Sequence, residues 1–337
     1  MKKILVDIPA SADALRRLEN SGSFEIKIVD EPSEESRPLP ASLLRGVNFL
    51  LCTKLPTNIN DLDALELVQI ASAGYNQLLG LDLPGRKVAA CNALGVFDTP
   101  IAEWNISMMV ALARDLRGMI RNQEQGVWDR SARFQREIRG SVVGIWGYGG
   151  IGRETARICK QMAMTVYVMS RSGVKPRSNI FCVPGTGDPE GLLPDKVFTH
   201  GQESDFLSGL DFLIIAVPLT ASTEGLIGEA ELRLLPDTAY LLNPARGLIV
   251  SEQALLAALR DGQIAGAALD THYAYPLPAD HPLWSFPNVI MTPHISGSAL
   301  SPNYVNRIWT IFEENARRFV AGDRLLNELT LEQLSGK

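Results

Sequence analysis

Two residues carry the chemistry this sequence is equipped to do. Arg246 lies in Leu242-Asn243-Pro244-Ala245-Arg246-Gly247, and His294 closes Met291-Thr292-Pro293-His294. Each follows a short apolar run of strand character, and ligand sites in parallel α/β sheets gather at the carboxyl ends of strands. A guanidinium can grip a carboxylate and polarise the oxygen beside it. An imidazole can exchange a hydroxyl proton near neutral pH. Beside a nicotinamide, the pair suits hydride exchange with a 2-hydroxy acid. Taken alone, His294 reads as a core histidine and Arg246 as half of a salt bridge.

The nicotinamide is suggested by Gly147-Tyr148-Gly149-Gly150-Ile151-Gly152, which fits G-x-G-x-x-G. The motif follows an apolar run at 142–146 and opens a helix-like stretch, the context in which it has physical meaning. Gly147 allows the tight turn, Gly149 lets backbone approach a pyrophosphate, and Gly152 permits close helix–strand packing. The helix start then offers unpaired N–H groups to phosphate. The next strand, 165–169, runs into Ser170-Arg171-Ser172. An NAD site usually has Asp or Glu there for the ribose hydroxyls. Its absence, with Arg171 to pair a 2′-phosphate and Ser170 and Ser172 to donate, predicts NADP(H) over NAD(H), with NAD(H) as the alternative. The bland reading of Arg171 is a solvated surface arginine.

The elements that must position these residues alternate strand and helix, which predicts an α/β fold with parallel sheets. Strands are expected at 3–8, 24–29, 47–52 and 67–71, and then at 142–146, 165–169, 212–217, 240–242, 264–269 and 289–291. A long helix is expected over 99–121, with Pro100 in its first turn, and a final helix over 302–320. Segments 30–40 and 125–139 read as exposed connections. Segment 173–201 is long for a loop in a compact domain and rich in Gly and Pro; such loops are often functional.

Composition narrows the alternatives. The 337 residues suggest about two domains. Hydrophobic residues make up 46% and charged residues 21%, an ordinary globular mixture. A net charge of -6 argues against general nucleic-acid or anionic-membrane binding. No apolar run reaches the ~18 residues of a membrane span. Asp7 and Pro9 cut short the first apolar stretch, which reads as a strand and not as a signal segment. The cysteines, Cys52, Cys91, Cys159 and Cys182, show no metal-like spacing. No metal is expected, and reduced thiols fit a cytoplasmic setting.

The chain resembles the D-isomer-specific 2-hydroxyacid dehydrogenase family through ordered motifs over most of its length. Residues 71–75 resemble its substrate-carboxylate loop, and 92–95 with Ala102 and Glu103 its entry into a long interdomain helix. Residues 147–152 resemble its cofactor loop, 216–220 with Thr223 the wall beside the cofactor, 243–247 its arginine motif, and 267–270 the next strand end. Residues 281–284 and 292–294 close the series. The resemblance implies two Rossmann-like domains, with a dinucleotide-binding domain over 99–296 inserted into a substrate domain of 1–98 and 297–337. It implies a homodimer. It gives Ala73 and Gly74 as backbone donors to the substrate carboxylate, Arg246 as substrate ligand and His294 as acid/base. Around the cofactor it places Tyr148, Gly150 and Ile151 of the glycine loop with Val217, Pro218, Thr223, Pro244, Ala245, Arg246, Asp270, His294 and Gly297.

One departure stands out. The family's histidine commonly pairs with a glutamate just before a proline, and here Tyr275 precedes Pro276. Losing a carboxylate lowers an imidazole pKa, although a tyrosine hydroxyl is able to orient the ring by hydrogen bonding. Asp280 is an alternative partner. The expected activity is reduction of a 2-keto acid of the glyoxylate or hydroxypyruvate class. The rivals are a relative oxidising another small anion, such as formate or phosphite, and a nucleotide-sensing protein resembling the C-terminal-binding corepressors.

Overall fold

A computed structural model describes residues 1–131, 135–298 and 301–335. The chain divides into two units. One comprises Met1–Val96, Ser178–Val183 and Leu300–Lys337, and the other Phe97–Arg177 and Pro184–Ala299. The divisions therefore fall at 96/97 and 299/300, and a short segment of the long 173–201 stretch belongs to the first unit. Burial of Phe181 explains that membership. Its N–H donates to Asn327 Oδ1 at 3.0 Å, and the Asn327 N–H donates to the Asn179 carbonyl at 2.9 Å.

The first unit holds a parallel sheet of β1 (Lys2–Asp7), β2 (Phe24–Ile28), β3 (Phe49–Cys52), β4 (Leu67–Ile70) and β5 (Ala89–Cys91), in the order β2-β1-β3-β4-β5. β3 and β4 are buried throughout, so neither reads as an alternation; the one polar residue in them, Gln69, donates to the carbonyls of Ile70, Cys91 and Asn92. The short edge strand β5 is a structural addition to the sequence reading: Ala89, Ala90 and Cys91 include no β-branched or aromatic residue to mark a strand.

The second unit holds β6 (Val142–Trp146), β7 (Thr165–Met169), β8 (Lys196–Phe198), β9 (Phe212–Ile215), β10 (Tyr240–Asn243), β11 (Gly266–Leu269) and β12 (Val289–Met291). Their order, β12-β11-β10-β9-β6-β7-β8, with every pairing parallel, is the doubly wound arrangement whose strand order reverses between β6 and β9. Ligands bind beyond the strand ends at such a reversal. β8 lies inside the segment read as a loop; its exposed Lys196 and Val197 conceal the strand.

The single helix expected over 99–121 is two helices, Asp98–Ala113 and Leu116–Gln125. Asp115 adopts φ +47 and its side chain accepts from the Gly118 N–H at 3.2 Å. An aspartate tolerates this conformation and caps the new helix at once. The final helix spans Pro302–Ala321, capped by Ser301 and stopped by Gly322 at φ +73. Among the described residues no helix is long and apolar enough to cross a membrane.

Candidate active site

In the second unit, the segments that follow successive strands carry the residues singled out above. After β6, Gly147 turns at φ +104, where a Cβ would fall 2.6 Å from the Ala216 carbonyl oxygen that follows β9. Only glycine fits this crossing. Gly149 caps the twelve-residue helix Gly150–Gln161, and nothing lies within 4 Å of where its Cβ would be. This opening in front of the first-turn N–H groups fits a pyrophosphate. The Asp98 carboxylate packs against Gly150.

Tyr148 contributes backbone to this loop, but its side chain turns inward. Its hydroxyl donates to Asp188 Oδ2 at 2.7 Å, and the Arg153 guanidinium lies 4.9 Å from its ring centre. Arg153 also donates to the carbonyls of Tyr148 (3.2 Å), Lys175 (2.5 Å) and Asp188. Asp188 accepts from the Leu192 and Leu193 N–H groups at 3.0 and 3.1 Å. Burial by itself would raise the Asp188 carboxyl. Hydrogen bonds from Tyr148 and the two amides, with Arg153 nearby, hold it below the usual carboxylate range. Burial and Asp188 push the Tyr148 phenol upward. The ionised aspartate and neutral phenol thus form one fastening between the glycine loop and segment 173–195. Sequence reasoning missed it, because no local pattern joins Tyr148 to Asp188 across forty residues.

After β7, Ser170 Oγ donates to the Gly173 carbonyl at 2.9 Å, closing a turn that leaves Arg171 and Ser172 exposed. After β9, Val217 packs on the core beside Gly147, and the Thr223 hydroxyl donates to the Pro218 carbonyl at 2.7 Å to fold 218–223.

The β10–β12 flank holds the reactive groups. Asn243 Oδ1 accepts from the Ala245 N–H at 3.1 Å and its Nδ2 donates to the Arg246 carbonyl at 2.8 Å, so one buried amide shapes the whole arginine loop. Pro244 is buried behind it and the Arg246 side chain is exposed. A Cβ on Gly247 would fall 2.6 Å from the His272 carbonyl carbon, which places the arginine loop against the loop that follows β11. The fully buried Asp270 carboxylate accepts from Thr292 Oγ1 (2.6 Å), Ile295 N (2.9 Å), Ser296 N (3.1 Å) and Ser296 Oγ (2.5 Å). Its carbonyl accepts from the His294 N–H at 2.8 Å. His272 Nε2 donates to the Thr292 carbonyl at 2.8 Å, and Trp104 Nε1 donates to Thr292 Oγ1 at 3.1 Å. These bonds hold His294 at φ +57, a conformation a histidine adopts only when its surroundings impose it. Gly297 follows in the same turn, and a Cβ there would touch the Phe97 ring at 3.0 Å.

The His294 ring itself is held differently from the expectation. Tyr275 meets it ring on ring, with centroids 5.6 Å apart and planes at 54°. The Tyr275 hydroxyl, expected to bond the ring, instead accepts from the His272 backbone N–H at 3.2 Å. Among the described residues no carboxylate, Asp280 included, bonds the ring. Burial and the charge of Arg246 lower the His294 pKa; Asp270 opposes this and His272 adds to it. His281 is structural, since Nε2 bonds Glu252 at 2.8 Å and Nδ1 accepts the Leu283 N–H.

In the first unit, Ala73 and Gly74 follow β4. The carbonyls around them are all engaged, Ala71 by the Tyr304 hydroxyl (2.7 Å), Ser72 by the Ala93 N–H (2.9 Å), Ala73 by Asn92 Nδ2 (2.8 Å) and Gly74 by Ser72 Oγ (2.8 Å). Among the described residues, neither the Ala73 nor the Gly74 N–H has a partner. Such a loop, with carbonyls tied and amides bare, suits an anion. Asn92 was legible as part of a motif; Tyr304, two hundred residues away, was not.

A family model described as D-isomer specific 2-hydroxyacid dehydrogenase, NAD binding domain, matches residues 106–296, more than half of the chain. The chain belongs to the D-isomer-specific 2-hydroxyacid dehydrogenase family. It is 30% identical over 284 residues to a glyoxylate reductase of Thermofilum pendens, covering 81% of this chain and 80% of that one. It is 31% identical over 288 residues to a glyoxylate reductase of Thermococcus gammatolerans, covering 82% and 81%. A crystal structure of a D-isomer specific 2-hydroxyacid dehydrogenase family protein from Aeromonas salmonicida superimposes with a TM-score of 0.76 at 26% identity, covering 98% of this chain and 99% of that one. As a member of this family the chain is an NAD(P)-dependent oxidoreductase of 2-hydroxy acids, and its second unit carries the NAD-binding domain.

Proposed function

We propose that this dehydrogenase reduces a small 2-keto acid of the glyoxylate or hydroxypyruvate class to the D-2-hydroxy acid, with NADP(H) preferred. The observation that carries the reading is that Arg246 and His294 follow β10 and β12, the two strands that flank β11, near enough for the Arg246 charge to act on the His294 ring, with each backbone fixed by its own bonds. Arg246 would grip the carboxylate and polarise the 2-oxygen. His294, as imidazolium, would donate the proton to that oxygen. The bare amides of Ala73 and Gly74 are assigned to the carboxylate. When bound, the dinucleotide supplies the hydride. Gly147, Gly149, Gly150, Ile151 and Gly152 would hold its pyrophosphate, with Tyr148 contributing only backbone. Val217, Pro218, Thr223, Pro244, Ala245, Asp270 and Gly297 would line its nicotinamide half.

The preference for NADP(H) is supported by exposed Arg171 and Ser172 in the turn after β7. The first carboxylate beyond that strand is Asp188, already committed to Tyr148. A homodimer is supported by the apolar exposure of Leu116, Ile120, Val127 and Trp128, the last 89% exposed; sedimentation would read its mass directly. The test of the activity follows absorbance at 340 nm with NADPH and NADH against glyoxylate, hydroxypyruvate, pyruvate and bulkier 2-keto acids. Rapid NADPH oxidation with one of them is expected. Arg171→Asp should weaken NADPH binding more than NADH binding. One observation favours a second reading, oxidation of a small anion such as formate. Among the described residues the His294 ring has no carboxylate partner, and formate yields its hydride with no hydroxyl proton to remove. Turnover of formate with NADP+ or NAD+, and none of the keto acids, would select it.

A further inference from the structure

We infer that Asp188, acting through Tyr148 and Arg153, is a positioning residue that sets cofactor selectivity by holding the basic segment 171–177 against the back of the glycine loop. The inference rests on the NADP(H) reading above. Segment 171–177 carries Arg171, Lys175 and Arg177, three cations in seven residues. Its start is fixed by the turn from Ser170 to Gly173. Its far end is fixed by Arg153 Nη2 on the Lys175 carbonyl at 2.5 Å and by the Arg177 N–H on the Pro189 carbonyl at 2.9 Å. Arg153 in turn is placed by the Asp188 and Tyr148 carbonyls and the Tyr148 ring. Glu154, one residue on and buried, accepts from the Gly187 N–H at 2.5 Å and so holds the backbone next to Asp188.

A phosphate site made of flexible cations pays for ordering them on binding; one whose backbone is already pinned does not. The three buried polar side chains therefore serve as a brace. They touch the loop that carries the cations and the loop that would meet the pyrophosphate, so a shift in one is a shift in the other. Arg171 is the group that meets the 2′-phosphate; Asp188 acts only through the brace.

The test measures NADPH and NADH dissociation constants by calorimetry on the intact protein, with Arg171→Asp as reference. Asp188→Asn removes the charge that collects the phenol and two amides. It should lower the NADPH-over-NADH preference about tenfold, the effect of one hydrogen bond to an ionised partner, with NADH affinity falling by a smaller factor through the shared pyrophosphate loop. Tyr148→Phe keeps the ring and its volume and removes only the hydroxyl. It should move the ratio in the same direction by a smaller factor, and it carries the test if Asp188→Asn fails to fold. A protease-protection assay should show earlier cleavage within 173–195 in both variants. If Arg171→Asp lowers the preference while both brace variants leave it unchanged, the inference is overturned and the NADP(H) reading stands. If the wild-type protein binds both cofactors equally and Arg171→Asp changes nothing, the reading fails and the inference with it.

Discussion

The two flanks of the second sheet hold their working groups in opposite ways. On the β10–β12 flank the backbone is bound down and the side-chain heads reach solvent, Arg246 donating to the neighbouring Ala245 carbonyl at 2.7 Å and His294 resting on the Tyr275 ring. Asn243 ties the arginine loop, Asp270 ties the turn around His294 with four bonds, and the Arg246 head and His294 ring stay exposed. On the β6–β8 flank the side chains Tyr148, Arg153 and Asp188 are buried in mutual bonds, and the backbone in front of Gly149 is left open. Each arrangement suits what the flank must meet. A reacting oxygen needs a side-chain cation and a proton, whereas a pyrophosphate needs bare N–H groups.

The comparison breaks most visibly at His294. His294→Asn should lower kcat about 10²- to 10⁴-fold, the span of a lost general acid, while NADPH affinity measured by calorimetry changes far less. A comparable loss in NADPH affinity would mean that the two flanks are not separable. Arg246→Lys keeps the charge and loses the planar fork. Keto-acid kcat/KM should fall roughly 100-fold, of the order of two charged hydrogen bonds. Steady-state kinetics with glyoxylate and hydroxypyruvate would show it.

Tyr275→Glu sharpens the comparison by placing a carboxylate where the ring and hydroxyl of Tyr275 now stand. A carboxylate within about 4–6 Å favours the imidazolium, so the pH midpoint for reduction should rise by about one to three units. An unmoved midpoint would show that Tyr275 lies too far from the working ring. Gly247→Ala should have the smallest effect. The added methyl must displace the His272 backbone, so keto-acid kcat/KM should fall about tenfold, with a melting temperature lowered by a few degrees. A change in stability with no change in kinetics would separate the packing of this loop from the aim of Arg246.

Much of this was legible along the chain, for a physical reason. β6, β7 and β12 coincide with the expected runs because each is a short run rich in β-branched and apolar residues. The glycine loop announces itself because a turn at φ +104 beneath a carbonyl admits nothing else. Arg246 and His294 stood out as polar residues at strand ends. The missed features are non-local or weakly patterned. β5 is built of alanine and cysteine with no β-branched residue, and β8 exposes two of its three residues. The break at Asp115 depends on one residue in a left-handed conformation. The Tyr148–Asp188 bond spans forty residues, and the His272–Thr292 bond spans twenty. The Tyr275 hydroxyl was expected to serve His294 and instead serves a backbone N–H three residues away, a choice between two nearby partners that spacing does not decide.

The most direct measurement is the pH dependence of kcat/KM for NADPH-dependent reduction of glyoxylate and hydroxypyruvate by the wild-type protein. Reduction consumes the protonated imidazole, so the rate must fall as pH rises through the His294 pKa. Burial and Arg246 depress that value, so the fall should be centred below the ordinary imidazole value of about 6.5, with the oxidative direction rising through the same midpoint. A flat profile, or a midpoint above that value, would contradict the role given to His294 in a site without a carboxylate partner.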